Sequence, residues 1–177
     1  MGPSQLIRAY RMDPGARMGP FKGDQSSSPG DELHWQIRRP YFFLWVSSAW
    51  FIEMMIHQVD ECCWIKDAWP VSAQGLGGRE PNSDDGSQNL HTYAIEYTFA
   101  DGTKAFVDSR SMQNCHNEFA TFVHGTKCGA QFSGNVHAPT VHIYNDQRNA
   151  KDNIAWQPDK EQVSPYQVEW DVLLSAI

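Results

Sequence analysis

A change of hydrophobic period at Pro70 constrains this chain more than any other feature. From Ala49 to Lys66, the residues Ile52, Ile56, Val59 and Cys63 recur at spacings of three and four. That is the pattern of an amphipathic helix, and Pro70 stops it. After Pro70 the period falls to two. Val71, Ala73 and Leu76 alternate with Ser72 and Gln74, and His91 to Phe99 carries Tyr93, Ile95, Tyr97 and Phe99 on one face. Asp101-Gly102 is a strong hairpin turn into a strand from Lys104 to Asp108. Two more strands are predicted at Glu118 to His124 and Ala130 to Ser133, around the turn Gly125-Thr126-Lys127. Val141, Ile143 and Tyr144 mark another, closed by Asn145-Asp146.

The ends complete the plan. Gln5 to Met12 reads as a strand, and Asp31 is placed to cap a short helix that Pro40 ends. Between them the stretch 13–30, dense in Gly, Pro and Ser, reads as a long loop that is functional or covers something. Gln147 to Pro165 is polar and irregular. Ser164 and Pro165 supply a cap and first position for a last helix carrying Tyr166, Trp170, Leu173 and Leu174. That apolar pattern is still running at Ile177, so the chain is expected to be a truncated part of something longer. The predicted fold class is α+β: an open, mostly antiparallel sheet of about six strands, with helices packed on one face. The other face is left for another domain or subunit.

At 177 residues the chain has room for a single domain. The net charge is −7 and there is no basic run, which argues against nucleic acid and against an anionic membrane surface. The longest apolar candidate, Tyr41 to Ile56, is broken by Ser47, Ser48 and Glu53, so no membrane span is predicted. No signal peptide is visible, and a soluble, by default cytoplasmic, protein is expected. Cys62, Cys63, Cys115 and Cys128 form no CxxC pair, and they read as small buried hydrophobes rather than a disulfide or zinc framework.

Three motifs carry chemistry. Gly75-Leu76-Gly77-Gly78-Arg79-Glu80 begins like GxGxxG, but Glu80 stands where the third glycine belongs and no helix follows. Without a helix N-terminus nothing holds a pyrophosphate, so no cofactor is expected on this chain alone. Glu53, His57 and Asp60 lie at offsets of four and three along one helical stripe. An imidazole beside a carboxylate is a general acid–base arrangement. On spacing alone an ordinary surface pair is the simpler reading, and a metal site made of the three is another. Arg110, Cys115, His116, Asn117 and Glu118 bunch between two strands, where they line either a pocket or a solvated hairpin.

The run IHQVDECCWIKDAWPVSAQGLGGR, from Ile56 to Arg79, resembles a bacterial branch of the Gfo/Idh/MocA oxidoreductases. So do YAIEYTFADGTKAFVDSR, CHNEFATFVHGTK and SPYQVEWDVLLSAI, in matching order from about Asp31 onward. The resemblance implies an N-terminal Rossmann domain that binds NAD(P). It also implies a C-terminal domain with an open antiparallel sheet that supplies substrate contacts and the oligomer interface. This chain looks like that second domain alone, with no Rossmann domain present. The family's Asp-x-x-x-His pattern places its catalytic histidine on His57 and its aspartate on Glu53, one methylene longer. The small residues that this branch carries before the helix correspond to Ser47-Ser48-Ala49, followed by a bulky Trp50. The family's catalytic lysine belongs to a Glu-Lys-Pro motif that does not occur here.

The resemblance therefore implies a substrate-binding and oligomerisation domain of an NAD(P)-dependent enzyme acting on a sugar or related polyol. His57 and Glu53 are its catalytic residues, and Asp60, Arg110, His116 and Asn117 are candidate substrate contacts. A sugar-like small molecule, a homo-oligomer through the open sheet face and a separate Rossmann domain are the implied partners. The chain by itself is expected to be inactive. The alternative is a non-catalytic carbohydrate-binding or protein-interaction module derived from the same family.

Overall fold

The strand nearest the N-terminus lies in the middle of the sheet. β1 (Ser4–Asp13) pairs in parallel with β4 (Lys104–Ser111) and antiparallel with β5 (Glu118–Gly125). A computed structural model describes residues 1–14, 29–81, 86–132, 140–159 and 164–177. Its other strands are β2 (Ser72–Gly78), β3 (Thr92–Thr98), β6 (Gly129–Phe132), β7 (Val141–Tyr144) and β8 (Ile154–Trp156). The order across the open sheet is β2-β3-β4-β1-β5-β6-β7-β8, and every neighbouring pair except β1 with β4 is antiparallel. The α+β class is borne out, with more strands than the periodicity shows.

The helices are α1 (Pro29–Ile37), α2 (Leu44–Ser47), α3 (Ile56–Lys66) and α4 (Pro165–Ser175). A π-helical turn, Phe51–Met55, runs directly into α3. The α3 helix lies across the centre of the sheet. Its first turn stands by Phe119, and Lys66 in its last turn donates to Asp101 (2.6 Å) and Thr103 (3.0 Å). Ala9, Ala105 and Ala130 are fully or almost fully buried beneath the helical layer, among Ile7, Val107 and Val123. Small side chains in the central strands let a helix approach closely enough for Met55 and Cys62 to pack. No helix among the described residues is long and apolar enough to cross a membrane.

Several sequence expectations need correction. Asp13 belongs to β1 and Pro29-Gly30 opens α1, so the expected loop is shorter at both ends, and residues 15–28 lie outside the described residues. The expected strand residue Ser133 also lies outside them. β8 falls inside the stretch expected to be irregular. Its three residues owe their strand to pairing with β7, through Ile143↔Trp156 and Tyr144↔Ile154. Tyr93, Ile95 and Tyr97 do share a face, but it is the helix-covered one, where they pack on the core with Phe132 and Ile143. The opposite face carries Arg8, Tyr10, Phe106 and Phe122, with Arg8 over the Phe106 ring at 5.3 Å.

Candidate functional site

The site begins with the chain's approach to the long helix. Ser48 and Ala49 take left-handed φ values of 60° and 56°, which only glycine adopts without a steric penalty. Trp50 holds this entry in place. Its backbone N–H donates to Asn89 Oδ1 (2.9 Å), and its indole Nε1 donates to Ser109 Oγ (3.1 Å). The Ser109 hydroxyl in turn donates to the backbone oxygen of Arg11 (3.1 Å). The start of the helix is thus tied to β4 and β1.

The π-helical turn then changes the geometry that the sequence implied. Its hydrogen bonds span five residues rather than four, so Glu53 comes closer to register with Gln58 than with His57. His57 opens α3 exposed to solvent, its ring 6.5 Å from Phe119. Glu53 is half-buried, and among the described residues no hydrogen bond or ion pair joins it to His57. Asp60 is exposed. Gln58 is fully buried, with neither side-chain polar atom hydrogen-bonded.

Two further residues belong to this neighbourhood and were missed from sequence. Glu61, four positions after His57 in regular α-helix, accepts a short hydrogen bond from the buried Thr121 hydroxyl. Burial pushes its carboxyl above the usual carboxylate range, Thr121 opposes that, and the Asp60 charge adds to it. Its spacing to His57 equals that of Glu53, so the signal was present in the sequence. Arg11 is the second. Residues Ile7, Ala9 and Arg11 alternate toward α3, and Arg11 is only 8% exposed. Its guanidinium stacks on Phe119 at 4.4 Å, with Met54 Sδ at 4.0 Å and Asp13 Oδ2 at 3.8 Å from Nη2. Its Nε has no hydrogen-bond partner among the described residues. Burial lowers the Arg11 pKa and the Asp13 charge opposes this.

The other cluster sits at the same end of the sheet but on the opposite face. Ser109 faces the helical layer, so its neighbour Arg110 points away from it. Arg110 Nη2 donates to the carbonyl of His116, and His116 Nε2 lies 3.5 Å from Glu118 Oε2. Asn117 is exposed and Cys115 half-buried. The fold thus gathers Arg110, His116 and Glu118 together and separates Arg110 from His57 by the thickness of the sheet.

Beside α3 an open pocket of about 520 Å³ is lined by Met1, Asp60, Glu61, Trp64, Ile65 and Phe132. The glycine run lies within edge strand β2, pairing Gly75 with Ile95 and Gly77 with Tyr93. A Cβ on Gly77 would come within 2.4 Å of Leu90 Cδ1 and 3.0 Å of Thr92 O, so this glycine serves strand packing. Among the described residues the next element after this strand is β3, so the run has no helix N-terminus to receive a pyrophosphate. Among the described residues no group of His, Cys, Asp and Glu could hold a metal ion.

Solved structures share this architecture. UDP-N-acetylglucosamine 3-dehydrogenase from Acidithiobacillus ferrooxidans is 16% identical at TM-score 0.57, covering 99% of this chain and 45% of that one. Aldose-aldose oxidoreductase from Caulobacter crescentus is 13% identical at TM-score 0.58, covering 90% and 42%. Myo-inositol 2-dehydrogenase from Lactobacillus plantarum is 17% identical at TM-score 0.51, covering 97% and 43%. The chain shares their fold. It spans less than half the length of each of these proteins. No family model matches the sequence, and no curated protein matches it.

Proposed function

We propose that the chain is the substrate-binding and subunit-association domain of a Gfo/Idh/MocA-like, NAD(P)-dependent oxidoreductase acting on a sugar or polyol. The observation that carries this reading is the exposed imidazole of His57. It stands at the first turn of the helix that crosses the centre of a sheet shared with sugar and inositol oxidoreductases.

Oxidising an alcohol removes a hydride and a proton. This chain's residues account for the proton: His57 accepts it from a substrate hydroxyl or returns it, at an imidazole nitrogen free of internal hydrogen bonds. Glu53 and Glu61 set the local field without gripping the ring. A catalytic hydrogen bond that is long without substrate and tightens on binding fits this arrangement. Asp60 borders the neighbouring pocket and is placed for hydroxyl contacts. Arg110, His116 and Asn117 lie on or near the opposite face and fit subunit contact better than substrate contact. A dinucleotide-binding domain, in the same or another chain, supplies the redox partner.

A panel of sugars and polyols followed by saturation-transfer NMR tests this. Binding that His57→Ala weakens severalfold is expected, and a panel that is silent while circular dichroism reports a folded chain removes the proposal. A second reading, a non-catalytic carbohydrate-binding module, is favoured by the pocket beside α3. There an 80%-exposed Trp64 adjoins the carboxylates of Asp60 and Glu61. An indole face and hydrogen-bond acceptors suit a pyranose. Under that reading Trp64→Ala abolishes binding and His57→Ala leaves it unchanged.

A further inference from the structure

The proton chemistry uses His57, yet the most anomalous charge nearby is Arg11. Its side chain is 10% exposed, and its nearest anionic oxygen, on Asp13, is 3.8 Å away, beyond hydrogen-bond distance. Among the described residues Nε donates to no acceptor, and the hydrogen bond from Nη2 goes to the Met54 thioether at 4.0 Å. The flat guanidinium is held instead by the Phe119 ring, 4.4 Å beneath it, and the same ring borders His57. Buried cations are normally paired by hydrogen bonds, because losing water around a charge is costly. A cation–π contact offsets only part of that cost and does not replace them. Arg11 is therefore a fixed, pre-oriented donor fork with spare capacity, one aromatic ring away from the general base.

We infer that Arg11 is the anion receptor of the His57 site, and that the substrate is a sugar acid whose carboxylate lies against this guanidinium. This rests on the sugar-oxidoreductase reading above. A carboxylate matches a planar guanidinium edge in both shape and charge. A phosphate dianion matches it less well, because Asp13 already supplies part of the balancing negative charge and one guanidinium carries a single positive charge. Phe119 fixes the plane of the fork, so the carboxylate is held in one orientation and its ring is directed toward His57.

The experiment is calorimetric titration of the 177-residue chain with methyl β-D-glucuronide, its neutral methyl ester, methyl β-D-glucoside and glucose 6-phosphate. The free carboxylate is expected to bind at least tenfold more tightly than either neutral sugar and than the phosphate. Arg11→Met keeps the stem over Phe119 and is expected to bring acid and neutral sugars within about twofold. Arg11→Lys keeps the charge but loses the fork, and is expected to fall between. Equal binding of acid and neutral sugars by the wild-type chain overturns the inference, whatever the variants do, and leaves the sugar-oxidoreductase reading standing. Tighter binding of the phosphate overturns the choice of a carboxylate. Binding of none of the four by a folded chain overturns the inference and the sugar-binding reading together.

Discussion

Ser48 and Ala49 are the two consecutive residues at which the backbone departs from ordinary L-residue conformations before α3. Ser48 ends α2 in the left-handed region where helices usually carry glycine, and it is exposed. Ser48→Gly is therefore expected to stabilise the fold by about 1 kcal/mol, roughly 2–4 °C in Tm for a domain of this size. An unchanged or lower Tm in a thermal melt would show that the neighbouring hydrogen bonds compensate the strain. Gln58 is a second residue under strain of a different kind, since both of its polar side-chain atoms are buried unpaired. Leaving such atoms unmade costs about 1–3 kcal/mol. Gln58→Met is expected to raise the urea midpoint at constant slope; a lower midpoint would mean that the amide has a partner in solution.

Cys62 links the stability of the fold to pH. Burial first, then the Glu61 charge and Cys63, push its thiol from 9.0 up to about 12. It stays protonated near pH 8 and is expected to resist iodoacetamide until the chain unfolds, while the half-buried Cys115 reacts early. A raised folded pKa means that the unfolded state loses its proton first. This contribution to stability is intact below about pH 9 and is lost progressively toward about pH 12. Alkylation of Cys62 in the native chain at pH 8, seen by peptide mass mapping, would contradict that.

Among the elements, α4 is exposed at every residue after Pro165. It spans Pro165–Ser175, buries no residue, and exposes Tyr166, Trp170, Leu173 and Leu174. Isolated helices shorter than about 12–15 residues are marginal in water, and among the described residues α4 buries no side chain against the rest of the fold. In hydrogen-exchange mass spectrometry α4 is expected to exchange within seconds, while α3, β1 and β5 remain protected. Protection of α4 equal to that of α3 would show that another surface covers it. The element scale also explains why part of the site was illegible. An offset of four between Glu53 and His57 implies adjacency only in regular α-helix, and the π-helical turn removes that condition. Nothing in the residues of Phe51–Met55 announces the turn. It follows from tying Trp50 to the sheet while Met55 and Cys62 pack in the core.

For the whole molecule, the sheet face opposite α3 bears on association. Phe106, Phe122 and Tyr10 lie there around Arg8, with Tyr10 and Phe122 ring centroids 6.1 Å apart. Aromatic residues with an arginine are a frequent composition of interface centres. The purified chain is expected to sediment as a dimer or larger at micromolar concentration, and Phe122→Glu is expected to shift it toward monomer. A single wild-type species near 20 kDa that unfolds cooperatively would refute this, and would also weaken the subunit-association role.

Periodicity alone determined the α+β class, the long helix and the β3–β4 and β5–β6 hairpins, because those features depend on neighbours within a few residues. It also placed His57 on a helix. Tertiary structure alone decided that β1 is central, that Tyr93, Ile95 and Tyr97 face the helices, and that Arg110 faces away from His57. Which side of a strand meets the core depends on its register with partners distant in sequence, and a one-residue slip reverses every side chain. The same reason hid Arg11. An arginine between two strand-like residues reads as solvated until the sheet places it under a helix, stacked on Phe119 and short of hydrogen bonds.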